Sequence, residues 1–301
     1  MLTYNNYYKI QLFLIIIFTL LLFGCNKKST KISNNEPIDE KTDSSTLLVK
    51  VNNLVFSIPS PQQAYLFIRK NGIKFNKELI NDINNISKYT TSTKKALNIG
   101  ILGSDLAYLN VFEQIPEAVQ YFTSIKKLAI ELGIFDSFDQ KLIDKIENNL
   151  SNKDTLMICI SKIYENINAY LKNNQRNGTG MLIIAGGWIE SLYILTQATI
   201  STGNYEIRNK VGEQKYPLDN LIELLSPYYY YSEDFTQLID KLIDLAYDFD
   251  GVIYNYDYEQ PVIDTIKKTT IIRSESKVII SEYHLNVISE KISQIRNEII
   301  N

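Results

Sequence analysis

Two acidic residues occur within the most apolar stretches of this sequence, Asp105 at residues 93–113 and Glu190 at 181–201. A buried carboxylate is tolerated only if it is paired, hydrogen-bonded or protonated. Two such acids that converge could perform acid–base chemistry or bind a small polar ligand. Alternatively, they could belong to a satisfied internal network that only supports the fold.

We predict that Asp105 and Glu190 mark a polar core, and these two acids are the candidate catalytic residues. Nearby side chains with hydrogen-bonding or stacking capacity are the candidate ligand-binding residues: Tyr108, Trp188, Ser191 and Tyr193. An enzyme would bring both acids to one solvent-accessible cleft. A scaffold would bury them, paired, away from any cleft.

Two apolar helices must position these acids. Gly100 and Gly103 in the first, and the pair Gly186-Gly187 in the second, would let another backbone approach closely despite costing about 1 kcal/mol each in a helix interior. The second helix is long enough to raise the question of a membrane span. A central acid costs about 3 kcal/mol on membrane-insertion scales, so Glu190 favours a buried core helix instead.

Helical periodicity recurs from Leu47 to the C-terminus, with caps such as Ser60-Pro61 and Ser232. The predicted helices are 61–70, 77–88, 93–113, 116–132, 137–150, 151–172, 181–201, 205–211, 218–226, 232–247 and a C-terminal one. In the last helix, apolar residues at 3-4 spacing favour core packing over a dimer seam. The sequence predicts an all-α bundle of antiparallel hairpins, with a small β or extended element near 252–280.

The segment 228–259 opens with four consecutive tyrosines and carries eight acids. Exposed tyrosines with carboxylates can stack on sugars or form a protein interface; a solvated acidic helix face with packed aromatics is the alternative. Asp248, Asp250 and Glu259 have the spacing of a calcium loop. Hydrophobic residues occupy one of the ligand positions of that loop and the position where the loop requires glycine, which argues against calcium binding.

Other classes of chemistry have little support. Cys159 lies near the apolar face of a predicted helix, as a buried structural thiol would, and His284 has no serine or cysteine nucleophile nearby in sequence. With Cys25 assigned to lipidation (below), one cysteine and one histidine exclude a conventional zinc site. A net charge of -3 and an acidic pI of about 5.5 disfavour nucleic-acid binding. We predict no metal and no cofactor.

The N-terminus has the pattern of a signal peptide. An apolar run from Ile10 to Phe23 follows Lys9; it has the length of a signal-peptide core and is shorter than the roughly 20 residues of a spanning helix. The end of the run, Leu22-Phe23-Gly24-Cys25, resembles the lipobox of bacterial lipoproteins. That resemblance implies diacylglycerol on Cys25, cleavage after Gly24 and acylation of the new amine. An ordinary secretory signal and an uncleaved anchor are the alternatives.

The resemblance divides the chain into a signal peptide at 1–24, a lipidated flexible tether at 25–46 and a single helical domain at 47–301. The tether begins with Lys27, Lys28 and Lys31 and has no aspartate beside the cysteine. In common diderm lipoproteins this favours the outer membrane, and we expect the periplasmic leaflet. The polar beginning of the tether would lie near lipid headgroups.

The body vaguely resembles uncharacterised helical lipoproteins of Bacteroidota, a likeness that implies no activity. The sequence therefore predicts a membrane-anchored, periplasm-facing module that binds or scaffolds without catalysis. Its partners would be the bilayer, through acylated Cys25, and an envelope protein. The alternative is an envelope enzyme or small-ligand binder that uses Asp105 and Glu190.

Overall fold

A computed structural model describes residues 46–51, 54–135, 140–149, 155, 177–265 and 268–301. The lipobox with Cys25, most of the tether and the predicted helix that contains Cys159 lie outside these residues. The described residues belong to one compact unit.

The described fold is mainly α-helical, as predicted, with small two-stranded β elements. Its helices are α1 (Pro61–Lys70), α2 (Ser92–Val111), α3 (Ile115–Glu131), α4 (Gln140–Glu147), α5 (Asn177–Thr202), α6 (Tyr205–Gly212), α7 (Lys215–Leu225), α8 (Glu233–Phe249) and α9 (Glu282–Ile300). Hydroxyl side chains accept hydrogen bonds from the first turns of three of them, at Thr91, Ser232 and Ser281. These caps satisfy backbone N–H groups that have no partner inside the helix.

Two predictions about local structure are wrong. The chain from Leu47 does not begin with helix but with an antiparallel hairpin of β1 (Thr46–Val51) and β2 (Leu54–Pro59), whose sequences contain the β-branched residues that strands prefer. The predicted helix at 77–88 is instead a loop with two 3-10 turns, Lys77–Leu79 and Ile83–Lys88. The side chains of Asn76 and Asp82 cap those turns and offer the backbone an alternative to a continuous helix.

The predicted β element near 252–280 is a ribbon of two antiparallel ladders. β3 (Ile253–Asp257) pairs with β6 (Glu275–Ile279), and β4 (Val262–Asp264) pairs with β5 (Thr269–Ile271). At its base Val278 is buried, whereas several large apolar residues further along are exposed: Val262, Ile263, Ile271 and Ile272. The ribbon is therefore attached to the body at one end and solvated along most of its length.

Helix α5 is the centre of the body and packs against α1, α2, α6 and α9. At its crossing with α2, a Cβ placed on Gly100 would overlap the carbonyl oxygen of Ile183, and one on Gly186 would overlap that of Leu97. The predicted close approach at these two glycines is therefore confirmed. Among the described residues, one helix is long and apolar enough to cross a membrane, Gly178–Thr202, and 78% of its apolar window is buried inside the body.

The 3-4 pattern of α9 packs on the chain's own core. Its apolar residues are buried in the hydrophobic cluster shared with the other helices: Leu285, Ile288, Ile292, Ile295 and Ile299. This side of α9 faces α5, α2 and α8. The helix therefore brings its other inward-facing residues to the centre of the body.

Candidate functional site

The structure brings the two predicted acids together beside the α2–α5 crossing. Asp105 projects from α2 and Glu190 from α5, and neither side chain has exposed surface (relative exposure 0% for both). Glu190 lies close enough to Asp105 to raise the pKa of the Asp105 carboxyl. The polar core predicted from sequence is present, and it lies inside the body.

Arg296 of α9 completes this site. Its Nε donates to Glu190 Oε2 at 2.6 Å and its Nη2 donates to Glu190 Oε1 at 2.8 Å, a two-pronged ion pair. Nη2 also donates to the carbonyl of Leu79 at 3.1 Å. The guanidinium lies 4.2 Å from the centre of the Tyr193 ring, within the range of a cation–π contact.

Charge pairing governs the pKa of Arg296. Burial by itself lowers this pKa, but the adjacent Glu190 carboxylate outweighs burial, so the pKa of Arg296 rises above its ordinary value. The guanidinium is therefore permanently charged. Because water is excluded from the site, this buried charge needs a partner of opposite charge.

The surroundings of Asp105 disfavour its ionised form. Burial and then the negative charge of Glu190 raise the pKa of Asp105 well above its usual range. Its Oδ2 accepts from the backbone N–H of Asn81 at 3.1 Å, while Oδ1 receives no donor from the described residues. Burial and the neighbouring negative charge both favour the protonated form of Asp105.

The loop between α1 and α2 contacts the buried acids at Asn81, whose backbone N–H donates to Asp105. The hydroxyl of Tyr121 donates to the carbonyl of Asn81 at 2.5 Å, and the amide of Asn81 donates to the hydroxyl of Tyr89 at 2.9 Å. The side-chain amide of Asn98 donates a hydrogen bond to the carbonyl of Ile299, near the end of α9, at 3.0 Å. Burial raises the pKa of Tyr89 to about 12, so this phenol is neutral at ordinary pH.

The other ligand-binding candidates divide into those at the site and those elsewhere. Tyr193 contacts Arg296, as described above. Trp188 is buried and its indole N–H donates to Gln214 at 3.2 Å, whereas the hydroxyl of Tyr108 accepts from the backbone of Asn76 at 3.1 Å. Ser191 is half-buried. The four residues therefore do not line one common cavity.

Two surface grooves are present near other parts of the fold. One, of about 410 Å³, is lined by residues of α1, α5 and α6 with Lys70 and Lys210 at its edge. The other, of about 170 Å³, lies between the start of α2 and helices α8 and α9. Neither is lined by Asp105 or Glu190. The acids are thus paired away from both grooves.

Arg296 and Asn81 are the important residues that the sequence interpretation missed. A signal for Arg296 existed, because it lies four residues after Ile292 and three before Ile299 and therefore on the apolar face of α9. A charged residue on such a face needs a buried partner. Asn81 had no comparable signal, since it lies in a polar loop.

The acidic segment and the histidine have ordinary structural contacts. Asp248 pairs with Lys291 at 2.6 Å and Asp250 pairs with Lys215 at 3.2 Å, and no cluster of metal-ligating side chains occurs within the part of the chain that the structure describes. The ring of His284 packs against Gly251 and contacts the capping hydroxyl of Ser281.

The raised pKa of Asp105 predicts a pH dependence of stability. A raised folded-state pKa stabilises the fold fully below the unfolded value of about 3.9 and loses that contribution as pH rises through the folded pKa. Asp105→Asn keeps a hydrogen-bond donor at this position and does not titrate. We therefore expect the variant to gain stability relative to the parent as pH rises from 4 to 8, by about 1.4 kcal/mol for each factor of ten by which folding tightens proton binding to Asp105.

Urea unfolding of both proteins across that pH range measures the difference. Glu147→Gln, which alters an exposed ion pair with Lys126, is the control and should follow the parent. Parallel pH profiles for Asp105→Asn and the parent would show that Asp105 is ionised in the fold.

The site is thus a closed network of charge and hydrogen bonds that joins α2, α5, α9 and the loop around Asn81. It can fix the relative positions of these four segments. Among the residues that the structure describes, neither acid has exposed surface that a substrate in solution could contact. Comparisons with protein-family models, curated proteins and solved structures found no match to this chain.

Proposed function

We propose that this chain is a lipid-anchored, non-catalytic binding module of the bacterial cell envelope, which faces the periplasm from the outer membrane. The observation that carries the non-catalytic part is the closure of the Asp105–Glu190–Arg296 network. Acid–base catalysis needs a group within hydrogen-bond reach of a substrate. Here both carboxyls are fully buried and already paired.

The exposed surface supports a role in binding. Monomeric proteins expose few contiguous apolar patches, and larger ones mark interaction sites. The ribbon between α8 and α9 carries exposed isoleucines and tyrosines along its length, among them Ile263, Ile272 and Tyr258. An isolated two-stranded ribbon is marginally stable in water, and a partner that covers it would stabilise it.

The anchor is supported by the sequence Leu22-Phe23-Gly24-Cys25. Each buried methylene of an attached lipid contributes about 0.8 kcal/mol, and two or more chains make anchoring stable. A membrane-spanning role for α5 is disfavoured because most of its apolar surface is packed inside the body. The lipid would therefore be the attachment that holds the helical domain at the membrane.

Replacement of Cys25 by alanine tests the anchor. We expect the parent to remain with outer-membrane vesicles after a carbonate wash, since its acyl chains are buried in the bilayer. The Cys25→Ala variant should be uncleaved at Gly24 and should lack the mass of the acyl chains. Mass spectrometry of the N-terminal peptide measures both changes.

Capture experiments test the binding role and compare the acylated parent with a variant of the ribbon surface and with Glu190→Gln. The acylated protein should retain an envelope component that is lost when the ribbon surface is altered but not when Glu190→Gln changes the buried network. A parent protein without acyl groups at Cys25 contradicts the anchor. Loss of the captured component in Glu190→Gln, with unchanged melting, would favour a ligand site at the acids.

A further inference from the structure

The ribbon bears a row of tyrosine rings that begins on the body. The Tyr216 ring of α7 lies 4.8 Å from the Tyr254 ring, and the Tyr256 ring lies 6.5 Å from the Tyr258 ring. Residues two apart on a strand face the same side, about 6.6 Å from each other, so the row from Tyr216 to Tyr258 extends over roughly 20 Å. We call these four residues the tyrosine row.

The row is fixed at its base and exposed beyond it. The Tyr254 hydroxyl donates to the carbonyl of Gly212 at 3.1 Å, which holds this ring against Tyr216. The other rings are well exposed: 57% for Tyr216, 60% for Tyr256 and 68% for Tyr258. A ligand that stacks at the base of the row therefore meets a Tyr254 ring that is already in place, which lowers the entropy cost of binding there.

The two faces of the ribbon differ in charge. Across from Tyr254 and Tyr256 stand Val278 and Ser276, so this face has phenols, a hydroxyl and an aliphatic side chain. The charged residues of the ladder occupy the opposite face, where Lys277 pairs with Asp257 at 3.5 Å and with Glu275 at 3.8 Å. The face of the ribbon that bears the tyrosines thus carries stacking and hydrogen-bonding groups without formal charge.

Acceptors for hydroxyl groups lie near the base of the row. Burial, followed by electrostatic interactions with Tyr216, Glu213 and Asp219, raises the pKa of Tyr254 to about 12. Glu213 directly follows Gly212, whose carbonyl accepts from Tyr254, and Asp219 lies three residues after Tyr216 in α7, so both carboxylates are near the base of the row. Carboxylates accept hydrogen bonds from hydroxyl donors, and such bonds are stronger than those between neutral groups.

The chemistry of the row discriminates between classes of partner. Single-stranded nucleic acid also stacks on aromatic rows, but it needs a cationic groove for its phosphates. The lysines near the row, Lys210, Lys215 and Lys277, are each paired with a carboxylate. A stable protein interface buries roughly 800 Å² on each partner. The exposed rings of the row offer on the order of 400 Å², on a face only two strands wide.

We propose that the tyrosine row is a binding platform for a neutral glycan chain. Pyranose rings stack their C–H faces on the phenol rings, while phenol, serine and carboxylate oxygens hydrogen-bond the sugar hydroxyls. A chain of sugar rings matches the narrow, linear and uncharged form of the face. This inference deepens the binding role proposed above and is independent of the lipid anchor.

Titration of full-length protein in mild detergent tests the platform. The probes are five neutral hexasaccharides with different linkages, those of maltose, cellobiose, laminaribiose, xylobiose and mannobiose type, and two polyanions, polygalacturonate and oligothymidylate. Stacking depends on the ring face more than on the linkage, so we expect calorimetric binding of at least one neutral probe. Neither polyanion should bind at this face.

Two double variants locate the site. Tyr256→Ala/Tyr258→Ala should raise the dissociation constant for the neutral probe at least tenfold, because it removes two stacking rings. Tyr230→Ala/Tyr231→Ala is the matched control, since these tyrosines are also exposed, at 94% and 78%, but lie outside the row. It should bind like the parent. All four substituted residues are solvated, and circular dichroism should confirm unchanged folding in both variants.

The outcomes separate this inference from the proposed anchoring. Absence of binding by all five neutral probes, preference for a polyanion, or equal weakening in both double variants would each overturn the glycan platform. A protein that is captured through the row in place of the sugars would overturn it as well. Membrane retention in the carbonate wash is measured separately, so either proposal can fail while the other stands.

Discussion

Replacement of Arg296 by methionine is expected to lower the free energy of unfolding by about 3–5 kcal/mol, the usual cost of breaking a buried ion pair. The reason is that Glu190 would remain fully buried with its charge unpaired, beside a second carboxyl at Asp105. Total stability of a domain is about 5–15 kcal/mol, so this is a large fraction. Urea denaturation at pH 7 measures the change.

Two further variants show whether the cost arises from the unpaired charge. Glu190→Gln/Arg296→Met removes both charges and keeps an acceptor for Asp105, so it should recover most of the lost stability, because neutral replacement of a buried pair is often tolerated. Lys126→Met breaks an exposed ion pair with Glu147 and should cost less than about 1 kcal/mol. A double variant as unstable as Arg296→Met would mean that packing, and not charge, is responsible.

Alanine at Gly100 should be among the most damaging single methyl groups that can be added to the core, together with alanine at Gly186. The new Cβ would overlap the carbonyl oxygen of Ile183 and lie 2.6 Å from the amide nitrogen of Gly187. Both are backbone atoms of α5, which cannot rotate away as a side chain can. We expect a loss at or above the upper end of the roughly 1–3 kcal/mol that overpacking usually costs, although alanine favours helix by about 1 kcal/mol over glycine.

Thermal melting of Gly100→Ala and Gly178→Ala makes the comparison. Gly178 lies at the start of α5, where a Cβ would meet only ring atoms of Phe235 and Tyr228, at 3.2 Å or more. This control should be near neutral, since the gain in helix propensity offsets small shifts of the rings. If both alanines had equal effects, the helices would have room to separate at Gly100.

Separation of α2 from α5 would also disturb the buried site, because Asp105 and Glu190 lie on these two helices. Gly100→Ala and Arg296→Met should therefore be non-additive when combined, as expected for changes that share partners. A double variant whose loss equals the sum of the single losses would show that the crossing and the ion pair are independent.

Much of the site could be predicted from local patterns. The apolar residues around Asp105 and Glu190 indicate burial, and a buried acid requires a partner or a proton wherever the chain places it. Glycine in an otherwise apolar helix indicated close approach, and Gly100 and Gly186 provide it. The errors at Leu47 and at 77–88 have a common cause: short segments of mixed polarity fit more than one backbone geometry, and their neighbours decide between them.

On the surface, too, some features follow from the local sequence and others depend on the tertiary structure. Alternating tyrosines at 254, 256 and 258 indicated an extended segment, because a period of two is a property of the strand itself. Their alignment with Tyr216, and the separation of charge to the opposite face, depend on the pairing of β3 with β6 and on the docking of the ribbon against α6 and α7. Register is weakly specified by the local pattern where most of a ribbon is solvated, as it is here, so the pairing depends on the packed structure.

By itself, the sequence determined that this body is helical, that it has a large apolar core and that two acids must be buried in it. Those properties follow from hydrophobic periodicity and from the free energy of transferring side chains out of water. Both can be read from each segment of the sequence separately. Only the tertiary structure decided that Glu190 pairs with Arg296, 106 residues further along the chain, and that the pKa of Asp105 is raised. Both outcomes depend on short-range electrostatics inside a low-dielectric core, and these interactions exist only once the helices have packed.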